Sequence, residues 1–255
     1  MPFIQINGAQ IYYDVYGDVD SPPILLIHGS TITGQIDWGE RIAPELARRY
    51  RVFVPDCRGH GQSTNPESGY SFKQLADDAA AFIRAMGYER AHVIGHSNGG
   101  NVALVTLMEH PEVVQTCIPQ AANAYVTRYL IEREPKVLDP DVYFANHPDY
   151  VDEMIRVHGP THGQDYWREL LWLTMKEIIS EPNYSPAELR RVTRPTLVIM
   201  GANDTVNAPD RHAQYIAENI PGAELWIPED IGHNVHTDIP DQWLAKVFDF
   251  LARRG

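Results

Sequence analysis

The sequence has little cysteine, little positive charge and no long apolar run. Each shortage removes a class of protein. Only Cys57 and Cys117 are cysteines in 255 residues. Both end apolar runs, so two small core residues are expected rather than a disulfide framework. The 21 lysines and arginines face 34 acidic residues, for a formal net charge of −13. Nucleic acids and anionic membranes are bound through basic patches, so neither is an expected partner, and the acidity reads as solubility. No stretch approaches the ~20 apolar residues of a membrane span. The opening MPFIQINGAQ has neither a charged leader nor an apolar core, so a cytoplasmic protein is expected. Gly59-His60-Gly61 lacks the Lys-Ser/Thr of a P-loop, and no G-x-G-x-x-G follows a strand. The 11 histidines are dispersed. His158 and His162 have i,i+4 spacing, but Gly159-Pro160 is expected to break the helix that would align them. Neither a metal nor a cofactor is expected.

What is present is an alternation of short apolar runs and amphipathic stretches. Residues 3–6 and 10–16 read as strands joined by a turn at Asn7-Gly8. Residues 24–27, 51–55, 91–94, 113–118, 196–200 and 224–227 read as buried strands. Helices are expected over 39–50, 71–86, 101–110, 209–219 and 241–253, the second capped by Ser71 and stopped by Gly87. The length suits one large α/β domain. Strands alternating with helices imply a doubly wound, mainly parallel sheet with reactive groups beyond the carboxyl ends of the strands. The alternation fails between residues 124 and 191, which contain many aromatics and a helical pattern over 165–180. These residues are expected to form a helical cap on a core made of 1–123 and 192–255.

Chemistry concentrates in Gly95-His96-Ser97-Asn98-Gly99. A G-x-S-x-G between a strand and a helix is the signature of a nucleophile elbow, a tight strained turn that lifts a serine Oγ above the sheet edge. Gly95 and Gly99 let strand and helix approach. A serine hydroxyl needs a base, and the base needs a carboxylate to fix its tautomer. Asp204 follows the strand at 196–200, and His233 follows the strand at 224–227. Both return to the edge that carries Ser97. Two backbone donors must hold the oxyanion. Asn98 N–H is expected to be one and Ser30 N–H, in the loop His28-Gly29-Ser30-Thr31, the other. His28 and His96 are expected to be structural, His236 to be structural or to line the pocket, and Asp56 with Arg58 to brace the 56–63 loop. Thr31, Tyr125, Tyr129, Trp167, Trp172 and Val206 are candidates to line the substrate pocket.

HGS at 28–30, DCRGHGQS at 56–63, GHSNGG at 95–100, GANDTVN at 201–207 and GH at 232–233 together resemble the α/β-hydrolase fold superfamily. The likeness is to its small cofactor-free esterases, enol-lactonases and non-haem haloperoxidase-like perhydrolases. The resemblance implies an eight-stranded sheet with one antiparallel strand, a helical cap after the sixth strand, and the chain order Ser…Asp…His. Serine at position 97 separates the chain from relatives with an aspartate nucleophile. Asn98 stands where many relatives carry Met, Thr or Leu. The expected activity is hydrolysis of a carboxylic ester or lactone of a small, largely apolar substrate by a monomer or homodimer. Hydrolysis of a C–C bond, perhydrolysis with the same triad, and a low-turnover ligand receptor are the alternatives.

Overall fold

The computed structural model describes residues 2–66 and 69–254. Eight strands, β1 (Phe3–Ile6), β2 (Ala9–Tyr16), β3 (Pro23–Ile27), β4 (Arg51–Pro55), β5 (Ala91–His96), β6 (Val114–Gln120), β7 (Leu197–Ile199) and β8 (Glu224–Trp226), form one sheet. Their order is β1-β2-β4-β3-β5-β6-β7-β8. β2 is antiparallel to both of its neighbours and the other pairings are parallel. Asn7 and Gly8 both take positive φ (45° and 81°), as the hairpin turn requires.

The two-residue period of the strands divides the core into two layers. Leu25, Ile27, Phe53, Val93, Cys117 and Val198 point to one face. Ile24, Leu26, Val52, Val54, Ile94, Ile118, Leu197 and Ile199 point to the other. Numbering the helices along the chain, α1 (Ile42–Leu46) and, at the far end, α11 (Pro240–Arg254) cover the second face. α2 (Phe72–Ala85), α3 (Asn98–Glu109) and α9 (Ala213–Asn219) cover the first. Ser71 caps α2 by accepting from Gln74 N–H. After β6 the chain leaves the sheet for a helical insert, α4 (Arg128–Val137), α5 (Pro140–Asn146), α6 (Pro148–His162) and α7 (Tyr166–Ile178). Val151, Met154, Trp167, Leu170 and Leu171 give the insert a small core of its own. Two short helices, α8 (Pro186–Leu189) and α10 (Val235–Asp238), complete the set. Among the described residues, no helix is long and apolar enough to cross a membrane.

Two local expectations are corrected. The helix expected over 39–50 is a π-helical turn, Gln35–Gly39, followed by the short α1. Pro44 fits the first turn of α1, where its missing N–H has no partner to lose. The chain then tightens through i→i−3 bonds from Arg48 to Glu45 and from Arg49 to Leu46. The π turn carries Asp37 and Trp38 into the core. Pro160 also does not break α6, which continues to His162. Proline there removes only one helical bond, two residues before the helix ends at His162 and is capped by Gly163 (φ 101°).

Candidate active site

Ser97 closes β5 and opens α3 with φ 54° and ψ −117°, a conformation that non-glycine residues rarely hold. It is over-determined by close packing. A Cβ on Gly95 would lie 1.9 Å from Gly99 O, and one on Gly99 would lie 2.2 Å from Ile27 O. Ser97 N–H donates to Gln120 O at 2.9 Å, and Ser97 O accepts from Asn101 N–H at 3.0 Å. α3 thus begins three residues earlier than its apolar pattern suggests. Its first N–H groups surround the serine, where helix geometry favours negative charge.

Asp204 and His233 meet beside this turn. Their loops are sewn together where Asn203 N–H donates to Ile231 O at 2.8 Å. A Cβ on Gly201 would lie 2.0 Å from Gly232 O, so this approach also requires glycine. Asp204 Oδ1 accepts from the N–H groups of Val206 (2.8 Å) and Asn207 (2.9 Å). Its Oδ2 accepts from His233 Nδ1–H at 2.8 Å. The carboxylate can only accept, so it holds the proton on Nδ1 and leaves a lone pair on Nε2. The His233 ring stands 5.1 Å from that of His96, the residue before Ser97. No hydrogen bond joins Ser97 Oγ to His233 among the described residues; the Asp204 bond is the one that the ring makes.

The loop after β3 is held from both sides, by a carboxylate and by histidines. Gly29 N–H donates to Asp37 Oδ2 at 2.9 Å. Thr31, at φ 62°, gives its N–H to His60 Nε2 (3.3 Å) and its carbonyl to His158 Nε2–H (2.9 Å). His158 Nδ1 accepts from Gly61 N–H at 2.8 Å, so this residue of α6 clasps the insert to two core loops. His28 accepts from Cys57 N–H and donates to Gly29 O. Burial holds the imidazole of His60 well below its usual pKa and lowers that of His158 to about 4, so both remain neutral at pH 7. Between the fixed groups, Ser30 N–H has no partner among the described residues. The expectation that Asp56 and Arg58 brace one loop together is corrected. Asp56 accepts from Gly34 and Gln62 N–H, whereas Arg58 forms a buried two-bond pair with Asp78 on α2.

The expected pocket residues are spread out. Thr31 is tied into the loop, and its Oγ1 lies 3.1 Å from Tyr150 Oη on α6. Val206 lends its N–H to Asp204. Tyr125 packs on His212 and Tyr215 and donates to Arg211 O. Trp167, 5% exposed, sits in the insert's own core. Tyr129 (47% exposed) and Trp172 (51%) lie beneath the cations of Arg133 and Lys176. Sequence reasoning missed Asp37, Gln120, Tyr150 and Glu177. Glu177 reaches from α7 to the elbow, where its Oε2 accepts from Asn98 Nδ2 at 3.1 Å. It is only 2% exposed, and burial raises its pKa well above the carboxylate range. Glu177 Oε1, Asn98 Oδ1 and Thr174 Oγ1 are buried without a partner. Thr174 and Glu177, three residues apart, share one face of α7.

This fold and this edge define a class. A family model for the alpha/beta hydrolase fold matches residues 22–174, and the chain belongs to that family, as a hydrolase. Over 97% of its length it is 25% identical to the human protein named serine hydrolase BPHL, of which it covers 85%. The enol-lactonase of Burkholderia xenovorans LB400 superposes with a TM-score of 0.79 at 23% identity, covering 98% of this chain and all of that one. Est816, described as an N-acyl homoserine lactone degrading enzyme, superposes at 0.71 with 27% identity, covering 98% and 100%.

Proposed function

We propose that the chain is a serine hydrolase that cleaves a carboxylic ester or lactone through an acyl-enzyme on Ser97. The observation that carries this reading is the 2.8 Å bond from His233 Nδ1 to Asp204 Oδ2. It leaves a lone pair on Nε2 of a ring that stands 5.1 Å from the ring of His96, the residue before a serine strained at φ 54°. Substrate entry brings Ser97 Oγ within reach of His233; such contacts are often open in empty sites. His233 Nε2 takes the hydroxyl proton as Oγ attacks the carbonyl carbon. Asp204 keeps the imidazole in the reactive tautomer and stabilises the imidazolium. The N–H groups of Ser30 and Asn98 receive the negative charge on the carbonyl oxygen, a contribution worth ~10²–10³ in rate per donor. His233 then returns its proton to the leaving alcohol, which in a lactone stays tethered. Water, deprotonated by the same nitrogen, releases the acid.

The test compares wild type with Ser97→Ala on short p-nitrophenyl esters and on simple lactones. The variant should lose turnover by ~10⁴-fold or more. A fluorophosphonate should add one adduct to wild type, at Ser97, and none to the variant. Wild-type turnover in Ser97→Ala removes the serine assignment.

A further inference from the structure

Beneath the serine lies a buried carboxylate that the acyl transfer above does not use. Asp37 enters the core on the π turn, and its two oxygens take hydrogen bonds from three segments. Oδ2 accepts from Gly29 N–H at 2.9 Å, one residue before Ser30. His96 Nδ1–H, one residue before Ser97, is shared between Oδ2 (3.1 Å) and Oδ1 (3.2 Å). Oδ1 accepts from His236 Nε2–H at 3.0 Å, three residues after His233. We propose that Asp37 is a positioning residue: one carboxylate sets the oxyanion loop, the nucleophile elbow and the base loop relative to one another. This rests on the serine-hydrolase reading of the same site.

The position of the His236 proton follows from one indole. Trp243 Nε1–H can only donate, and it donates to Gln120 Oε1 at 2.7 Å. Gln120 therefore turns its Nε2–H₂ to His236 Nδ1, 2.8 Å away. His236 Nδ1 accepts, so its proton is on Nε2 and points at Asp37. All the members are buried. Asp, His and His with mutually close ligand atoms are also a possible metal cluster. Here, however, the His236 nitrogen that faces the carboxylate carries a hydrogen rather than a lone pair, so the set serves as a hydrogen-bond hub. Burial pushes the Asp37 carboxyl up in pKa, but His96 and His236 beside it outweigh burial and hold it well below the carboxylate range. An ionised Asp37 has acceptors for all three donors. Asparagine does not. Either orientation of its amide opposes an N–H to an N–H, and reversing His236 would transfer the conflict through Gln120 to the indole.

The experiment measures kcat and KM per burst-titrated active site in the full chain. Asp37→Asn should lower kcat by ~10²-fold while KM moves less than about threefold, because the substrate's own contacts remain and the transition-state donors drift. His236→Leu, which removes one donor, should lower kcat by about tenfold or more. His236→Gln, which keeps an acceptor towards Gln120 and a donor towards Asp37, should recover part of that loss. The His236 pair decides the question if Asp37→Asn does not fold. A kcat for His236→Leu within about threefold of wild type, or no recovery in His236→Gln, overturns the proposal. Ser97→Ala runs alongside. If it keeps wild-type turnover, the serine reading has failed; if it is inactive while the Asp37 and His236 variants are unimpaired, only the hub has failed.

Discussion

Two buried carboxylates flank Ser97, and they are opposites. Asp37 lies on the core side and accepts from three donors over two oxygens. Its neighbours hold its pKa well below the ordinary range. Glu177 lies on the cap side and accepts one bond, from Asn98, while Oε1 has no partner. Burial raises its pKa well above the ordinary range. A desolvated carboxylate stays charged only when donors replace the lost water. The core half of the site is therefore assembled around satisfied charge. In the cap half burial raises the pKa of the acid, and Glu177 Oε1, Asn98 Oδ1 and Thr174 Oγ1 are left without partners.

The largest expected effect tests the core half directly. Asp204→Asn keeps the size of the side chain but presents an amide to His233, which favours the wrong tautomer. The turnover number should fall by ~10⁴-fold with little change in melting temperature. A loss below about tenfold would mean that His233 is oriented by something else. Next comes Asp78→Asn, remote from the serine. It breaks the buried pair with Arg58, whose guanidinium is fully buried. Removing one partner of such a pair costs about 3–5 kcal/mol, read by urea denaturation. A change under about 0.5 kcal/mol would show that the core does not depend on paired charge.

The third prediction concerns the cap half and has a pH sign. The folded-state pKa of Glu177 is raised, so the folded protein holds a proton that the unfolded chain releases. The penalty is absent below the unfolded pKa, near the ordinary glutamate value of 4.5, and grows as pH rises towards the folded one. Glu177→Gln carries no such proton. Melting temperatures should therefore diverge in favour of the variant between pH 5 and pH 8, ends chosen roughly to span that rise. Parallel curves would mean that Glu177 is already ionised and the contrast with Asp37 is false.

The legible parts of the site and the illegible ones differ in physical kind. Ser97, Asp204 and His233 were readable because each follows a strand whose apolar run is visible, and all parallel strands end at one edge. Gly95 and Gly99 were readable because close approach demands them. Asp37 was not: a single π turn has no apolar period, and its histidine partners lie 59 and 199 residues away. Glu177 sits on a helix whose period was readable over 165–180, but an acid turned inward looks the same in sequence as one turned out. The dispersed histidines concealed the brace on Thr31, because His60 and His158 come together only through the loop and the insert. The aromatics of the insert announced burial without saying against what.

That last ambiguity carries the smallest expected effect. Trp172 was a candidate pocket residue, yet half of it is exposed, beneath the Lys176 ammonium 5.2 Å away. An exposed cation–π contact is worth about 0.5–1 kcal/mol. Trp172→Ala should lower stability by no more than that and change kcat/KM by less than about threefold. Trp167→Ala is the control from the same helix. Its ring fills the insert's own core, and its loss should cost about 3–5 kcal/mol of local stability while burst-titrated sites keep their turnover number. A tenfold or larger loss of kcat/KM in Trp172→Ala would mean that the cap rolls during turnover and brings the outer face of α7 to the serine. Glu177, on the inner face of the same helix, would then leave Asn98, and the cap half of the site would have to be rebuilt around Trp172.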